Sequence, residues 1–409
     1  MRQIDRRWFQ VLAASAFINT SYGTLSYAFS VLVTKDAAGG AFGTATVSLG
    51  FSLALLVSGV AALITGTVAD LFGSRRLMAA GSVLGAAGLA ALALAQERWQ
   101  FIAVMAVLVG PAMAATFYEP VYVLMNRWFT GPERPRAYGV LTMASGISIT
   151  IFTPLTDILV DWLGWRGAVA GLALILFVVG VTVPALLLDE GGNQRAPSAR
   201  GVTSVLRQTV AGLRAGTPRF WAFTVAFFAG NLAFSGYSFH VIAQLESRGF
   251  EPSAVAGVVG LAGVLSLPAR LLMPSLSARA DAAVLLAGCL AALGGAAFLV
   301  ANADAWWQVW AYILVFGTVF GAVYPLRALL TSERFPGEYF GRLLGTQALF
   351  IAVSRAAGPA LIGWWAGDSA NYGPAFRAAG IVLFLSALAL WLTLRRAPRP
   401  LRTRRCLPC

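Results

Sequence analysis

The chain has 409 residues, of which 58% are hydrophobic and only 11% charged. A water-soluble domain carries about 25% charged residues to cover its core, so this composition excludes one and fits a protein whose solvent is lipid. The formal net charge of +13 gives no reason to expect nucleic acid, because the basic residues fall in short segments between apolar runs and not on one polar face.

A helix that crosses a bilayer needs about 20 apolar residues. In chain order, runs of that kind lie at 8–33, 44–69, 77–96, 100–128, 137–161 and 167–188, then at 220–245, 253–277, 282–302, 305–331, 343–366 and 375–395. The first run, Trp8–Val33, is too long for the apolar core of a cleavable signal and reads as a span. Residues 189–219 begin Asp189-Glu190-Gly191-Gly192 and are rich in Arg, Ser, Gly and Thr, so they read as a linker between bundles at 1–188 and 220–395. A basic tail follows at 396–409. The expected fold is an all-α membrane protein, with twelve transmembrane helices in two pseudo-symmetric six-helix bundles.

Orientation follows from the basic residues. Most of the 30 fall on one side, among them Arg75, Arg76, Arg134, Arg136, Arg195 and Arg200. The opposite loops hold Lys35, Arg98, Arg166, Arg248 and Arg377. Short loops rich in arginine stay inside, which predicts both termini and the linker in the cytoplasm of a cell with an inner membrane. The halves also correspond at an offset of about 205 residues: Pro120 with Pro325, Phe129 with Phe335, and Pro154 with Pro359. Two related halves suit alternating access, with substrate held between them near the midplane.

Cys289 lies in an apolar run, and Cys406 and Cys409 in the tail, so the outer loops have no disulfide framework. The Cys406-Leu-Pro-Cys409 spacing stands alone, without partner ligands. Neither a metal nor a cofactor is expected. An enzyme would need a nucleophile beside a base or a metal cluster; with one histidine and no paired carboxylates in the spans, no catalytic residue is expected.

The loop after the second run reads Gly66-Thr67-Val68-Ala69-Asp70-Leu71-Phe72-Gly73-Ser74-Arg75-Arg76. Gly66 would let two helices approach closely, Gly73 would permit a tight turn, and Asp70 could pair with arginine and cap a helix N-terminus. This loop resembles the signature between helices 2 and 3 of the major facilitator superfamily, where it implies a gating latch formed by Gly66, Asp70, Gly73, Arg75 and Arg76. The second half's Ser277-Ala278-Arg279-Ala280-Asp281 is a degenerate copy.

Finer features resemble the monocarboxylate porter and oxalate:formate antiporter branch. They are Arg127-Trp128-Phe129, Gly164-Trp165-Arg166, Phe340-Gly341-Arg342-Leu343-Leu344-Gly345 and, above all, Leu267-Pro268-Ala269-Arg270. The resemblance implies that Arg270 meets a substrate carboxylate. The chain departs from the branch in the first span, where Tyr22-Gly23-Thr24-Leu25-Ser26-Tyr27 replaces an acidic, tryptophan-containing motif. The aspartate that often precedes the helix 8 arginine is also absent.

Ionisable residues inside a span are costly and face a partner or a water-filled path. Arg270 and Arg355 sit near mid-span, Glu119 in the inner half of the fourth run, and Asp157 toward the outer end of the fifth. Arg327 is near enough to a helix end to snorkel. Arginine keeps its proton and binds carboxylates bidentately. Glu119 can neutralise one of Arg270 and Arg355 at most, so an anionic substrate would balance the other; internal pairing of both is the alternative. Glu119 and His240 are candidates for proton coupling, or else structural partners. Tyr22, Tyr27, Asn231, Tyr237, Tyr324 and Gln347 are candidates to line the cavity, or to bridge helices.

The expected function is secondary active transport of a small organic anion, a mono- or dicarboxylate, coupled to protons or to exchange. The alternative is efflux of a drug-like or other non-carboxylate solute, with the arginines structural. A monomer surrounded by membrane lipid is expected.

Overall fold

The computed structural model describes residues 6–34, 42–191, 202–337, 339–367 and 371–394. Ten helical segments are long and apolar enough to cross a membrane. One of them, Glu133–Leu187, is two spans merged at Gly164, whose φ of 67° and ψ of 171° turn the chain without a loop. With the interrupted first helix, the described residues hold twelve spans.

We number these α1 (6–34), α2 (Thr44–Phe72), α3 (Ser74–Leu94), α4 (Arg98–Trp128), α5 (133–163) and α6 (165–187). The second half holds α7 (Pro218–Ser247), α8 (Pro252–Leu276), α9 (Ala282–Ala301), α10 (Trp306–Arg334), α11 (Phe340–Ala366) and α12 (Gly373–Leu394). The segment between the halves contains a helix that the sequence does not announce, Val202–Ala215, hereafter the linker helix. Lys35, Arg195, Arg200, Cys406 and Cys409 lie outside the described residues.

Alternation of the helices puts Arg75, Arg127, Arg134 and Arg334 on one face, hereafter the arginine-rich face. The exposed tryptophans Trp99, Trp162, Trp307, Trp364 and Trp365 all lie at the opposite ends. Indole rings favour the bilayer interface, where an apolar body meets a polar edge, and so they mark the second membrane boundary.

α4 and α10 are broken at equivalent points. Phe117 leaves helical geometry at φ −80° and ψ −160°, and helix resumes at Tyr118. In α10 the break is at Gly321–Ala322, and helix resumes at Val323. Pro120 and Pro325 are each the third residue of the resumed helix, where no intrahelical N–H bond is owed. The breaks therefore set Glu119 and Tyr324 at matching positions in the two halves.

The apolar cores show how the halves meet. One buried cluster belongs to the second half alone and another, from Leu25 to Leu176, to the first half alone. A third joins both: Val11, Tyr122, Phe129, Tyr138 and Leu188 pack with Ala328, Leu329, Phe340 and Leu344. Its members lie at the arginine-rich ends of their helices. The bundles are closed against each other on that face and, among the described residues, share no buried apolar cluster at the other.

Candidate functional site

The closed face is built from glycines. A Cβ on Gly66 would overlap the Gly341 carbonyl, and one on Gly345 would overlap the Ala62 carbonyl, so α2 and α11 touch backbone to backbone. Asp70 uses this approach: its carboxylate oxygens accept the N–H groups of Gly341 and Arg342, each at 3.0 Å. These N–H groups belong to the first turn of α11 and lack intrahelical acceptors. A carboxylate there also meets the positive end of the helix dipole. The Arg342 Nε lies 3.7 Å from Asp70 Oδ2.

Around this contact runs a second set of charge-assisted bonds. Glu190, at the end of α6, accepts the N–H groups of Ser74 and Arg75 at 2.7 and 3.1 Å and so caps α3. Arg127 pairs with the same carboxylate at 2.7 Å. Gly73, with φ 96°, makes the turn that brings α3 to Glu190. Arg75 donates to the carbonyls of Pro184 and Ala185, at 2.8 and 2.7 Å, at the C-terminal end of α6. Arg76 is exposed and joins none of these bonds. The second half repeats the design: Asp281 caps α9 through Ala283 N–H at 2.8 Å and pairs with Arg334 at 2.5 Å.

The linker helix lies across this seam. Thr209 Oγ1 is 2.8 Å from Thr67 Oγ1 on α2, and Gln208 Oε1 accepts from Arg342 Nη2 of α11 at 2.9 Å. It therefore bonds to both halves.

Above the closed face, the predicted binding residues divide into three groups. Arg355 is exposed although it lies mid-way along α11. Its guanidinium carbon is 5.3 Å from the centre of the Tyr324 ring. Tyr22 and Tyr27, from the other half, are its further electrostatic neighbours. An exposed side chain flanked by residues of both bundles stands in the space between them. Tyr324 is held by a 2.9 Å bond from its hydroxyl to Asn231 Oδ1, and the Asn231 amide donates in turn to Ser354 Oγ. Tyr22 stacks on Phe117 with ring centres 3.8 Å apart and lies 5.1 Å from Tyr118. Tyr22, Tyr27, Asn231, Tyr324 and Arg355 are thus brought together.

Arg270 approaches the same region from α8. It is half-buried, packed over Gly321 and Gly146, with its guanidinium carbon 5.9 Å from the Phe320 ring centre. Small residues on α5 and α10 leave room for its stem. Its Nε is buried without an acceptor. Pro274 has no N–H for the Arg270 carbonyl, and Thr142 of α5 donates to that carbonyl instead, at 3.3 Å. Among the described residues, neither Arg270 nor Arg355 forms an ion pair with a carboxylate.

Glu119 and Gln347 form the third group, around Arg327. The structure corrects the expectation that Arg327 snorkels: its residue is 1% exposed. Arg327 Nη2 lies 3.3 Å from Glu119 Oε1, across the two halves, and Nη1 donates to Gln347 Oε1 at 3.2 Å. Thr331 Oγ1 donates to the same Gln347 oxygen at 3.0 Å. The break in α10 turns this arginine under the cavity rather than toward the helix end.

Two predicted residues stand elsewhere. Tyr237 does not reach the cavity: it is fully buried among Phe234, Phe316 and Phe376, and its hydroxyl donates to the Leu293 carbonyl at 3.3 Å. His240 faces α11, with Nε2 3.0 Å from the Pro359 carbonyl and its ring stacked on Tyr372. This is one turn beyond Arg355 toward the open side. The residues that sequence reasoning missed are Glu190, Arg342, Gln208 and Thr209, whose roles depend on contacts between distant segments.

Comparison with known proteins agrees with this architecture. The family model for the Major Facilitator Superfamily matches residues 11–359. Monocarboxylate transporter 13 of Bos taurus is 25% identical over 386 residues, covering 93% of this chain and 88% of its own length. Monocarboxylate transporter 11 of Homo sapiens is 26% identical over 413 residues, covering 96% and 84%. Among solved structures, the human organic anion transporter MFSD10 superposes with a TM-score of 0.75 at 16% identity, over 95% of this chain and all of that one. The E. coli fucose:proton symporter gives 0.75 at 11% identity, over 95% and 98%. The chain belongs to the Major Facilitator Superfamily and is a multi-pass membrane transporter, not an enzyme.

Proposed function

We propose that this transporter carries a small organic anion, a mono- or dicarboxylate, by alternating access. The observation that carries this reading is Arg355: an exposed guanidinium between the halves whose described neighbours are tyrosines, not carboxylates. Arginine stays protonated, and its planar fork matches a carboxylate. Tyr22 and Tyr27 offer hydroxyl donors and, with the ring of Tyr324, apolar walls suited to a short carbon chain. Arg270, with a buried donor lacking an acceptor, serves as a second cationic contact for the same anion. Relatives named as monocarboxylate transporters, and a solved neighbour named as an organic anion transporter, support the reading.

The arginine-rich face is assigned to the cytoplasm of an inner membrane by the distribution of basic residues, with both termini on that side. The conformation is then outward-facing. Gly66, Asp70, Gly73 and Arg75 belong to the closed gate, with Arg76 exposed at its edge. Glu119 is the proton-coupling group, and His240 lines the outer approach. The working unit is a monomer, divided into bundles at 1–188 and 220–395.

Uptake of labelled lactate and oxalate into proteoliposomes tests the reading. Wild-type uptake, lost in Arg355→Ala, supports it. Unchanged uptake in both Arg355→Ala and Arg270→Ala contradicts it and favours the efflux alternative with structural arginines.

A further inference from the structure

The linker helix, Val202–Ala215, has two unlike faces. Val205, Gln208, Thr209 and Leu213 are partly buried, and two of them bond to the halves: Thr209 to Thr67 of α2 and Gln208 to Arg342 of α11. Arg207, Val210, Ala211 and Arg214 are exposed. Residues three, four and seven apart share one side of a helix, so these four form a single strip turned away from both bundles. They line an open depression of about 470 Å³.

The strip carries charge that the chain does not balance. From Gly191 to Leu245 the sequence contains neither Asp nor Glu. Among the described residues, neither Arg207 nor Arg214 forms an ion pair. Arg214 is in the last turn, where the negative end of the helix dipole favours a cation. Arg207, sixth of fourteen residues, is too far from that end to gain from it. Val210, between the two arginines, is 47% exposed. A soluble anion leaves such an apolar side chain in water. A phospholipid covers it, because it presents a phosphate beside hydrocarbon.

The helix also ends at the membrane surface. Thr217, two residues beyond Ala215, caps α7 by accepting the Phe220 N–H at 3.3 Å. A Cβ on Gly216 would meet the indole nitrogen of Trp221, in the first turn of α7. Tryptophan favours the boundary between headgroups and acyl chains. The C-terminal end of the linker helix is therefore anchored at headgroup level.

We propose that the linker helix binds an anionic phospholipid, with Arg207 and Arg214 on the headgroup charge and Val210 and Ala211 on the apolar part. Bound lipid fixes the helix in the orientation that bonds to Thr67 and Arg342 together. Its affinity is then higher for the closed seam than for a state in which α2 and α11 have parted, so the lipid stabilises closure of the arginine-rich face.

The test uses the full-length protein with Cys406 and Cys409 replaced by serine and a cysteine at Leu344, which is buried in the closed seam. It is placed in nanodiscs of phosphatidylcholine, with or without phosphatidylglycerol. Labelling of the cysteine is expected to slow by about 5- to 30-fold when phosphatidylglycerol is present. Native mass spectrometry is expected to find phosphatidylglycerol retained in preference to phosphatidylcholine. Arg207→Gln with Arg214→Gln, both at exposed positions, removes both effects. Arg279→Gln, which neutralises an exposed arginine in the α8–α9 turn of the same face, leaves them in place. A double variant that keeps the lipid dependence overturns the proposal, as does a wild type without one. Equal loss of the dependence in Arg279→Gln means attraction to the whole basic face and overturns it too. Inorganic phosphate added to phosphatidylcholine discs is expected to change nothing; slowing equal to that by phosphatidylglycerol assigns the strip to a soluble anion and overturns the lipid assignment.

Discussion

Asp70 of α2 accepts the backbone N–H of Arg342 at 3.0 Å, and the Arg342 guanidinium returns to within 3.7 Å of the same carboxylate. The bond links the first half to the second through the start of a helix, so it exists only while the arginine-rich face is closed. Loss of a helix cap costs about 0.5–2 kcal/mol. Asp70→Ala is therefore expected to shift the conformational equilibrium toward the state open on that face, by about 5- to 30-fold at 1–2 kcal/mol. Labelling of a cysteine placed at Leu344, which is buried in the closed face, measures this once Cys406 and Cys409 are replaced by serine. Faster labelling is the predicted result.

Gly66 allows that bond to form. A side chain there meets the Gly341 carbonyl, which is backbone and cannot rotate away. Gly66→Val is expected to separate α2 from α11 at an overpacking cost of about 1–3 kcal/mol. The same cysteine reports it. Gly257, which has open space around its position, is a control whose change to alanine leaves the labelling rate unaltered.

The linker helix adds to the closed state because Thr209 bonds to Thr67 on one half while Gln208 bonds to Arg342 on the other. Each hydrogen bond contributes about 0.5–1.5 kcal/mol. Thr209→Val with Gln208→Ala is expected to favour opening by the sum of two such bonds. Spectroscopic distance measurements between spin labels on the arginine-rich ends of α2 and α11 check it, with a larger population of long distances predicted.

Tyr324 is placed by Asn231, whose Oδ1 accepts the phenol at 2.9 Å within a buried network that continues to Ser354. Tyr324→Phe leaves a buried amide oxygen without its donor, at a cost of about 1–3 kcal/mol. Thermal unfolding in detergent is expected at a lower temperature, and carboxylate binding is expected to weaken because Arg355 loses its fixed neighbour. Asn231→Asp, which keeps an acceptor for the phenol, restores more of the binding than Asn231→Leu.

Much of the architecture is legible in the sequence because lipid imposes it: a span must be long and apolar, and only turns and charges interrupt the pattern. The Gly66–Arg76 loop is legible for a related reason, since a close helix approach, a turn and a cap each demand a particular residue type. Burial of individual polar side chains is not legible in this way. Arg327 reads as a snorkelling arginine from its distance to the helix end, but the break at Gly321–Ala322 turns it onto Glu119 of the other half. Tyr237 and Tyr324 read alike in sequence, yet helix rotation sends one into the core of the second bundle and the other beside Arg355. Glu190 reads as the second charge of a linker, and only the fold brings it to the start of α3.

Carboxylate transport by this chain turns on Arg355 as the group that meets the substrate's charge. The direct measurement is thermal stabilisation of the purified protein by a panel of small carboxylates, compared between wild type, Arg355→Lys and Arg355→Ala. A rise in melting temperature is expected for wild type with at least one mono- or dicarboxylate, with a reduced rise for Arg355→Lys and none for Arg355→Ala. Equal stabilisation of wild type and Arg355→Ala by the same carboxylate would contradict it.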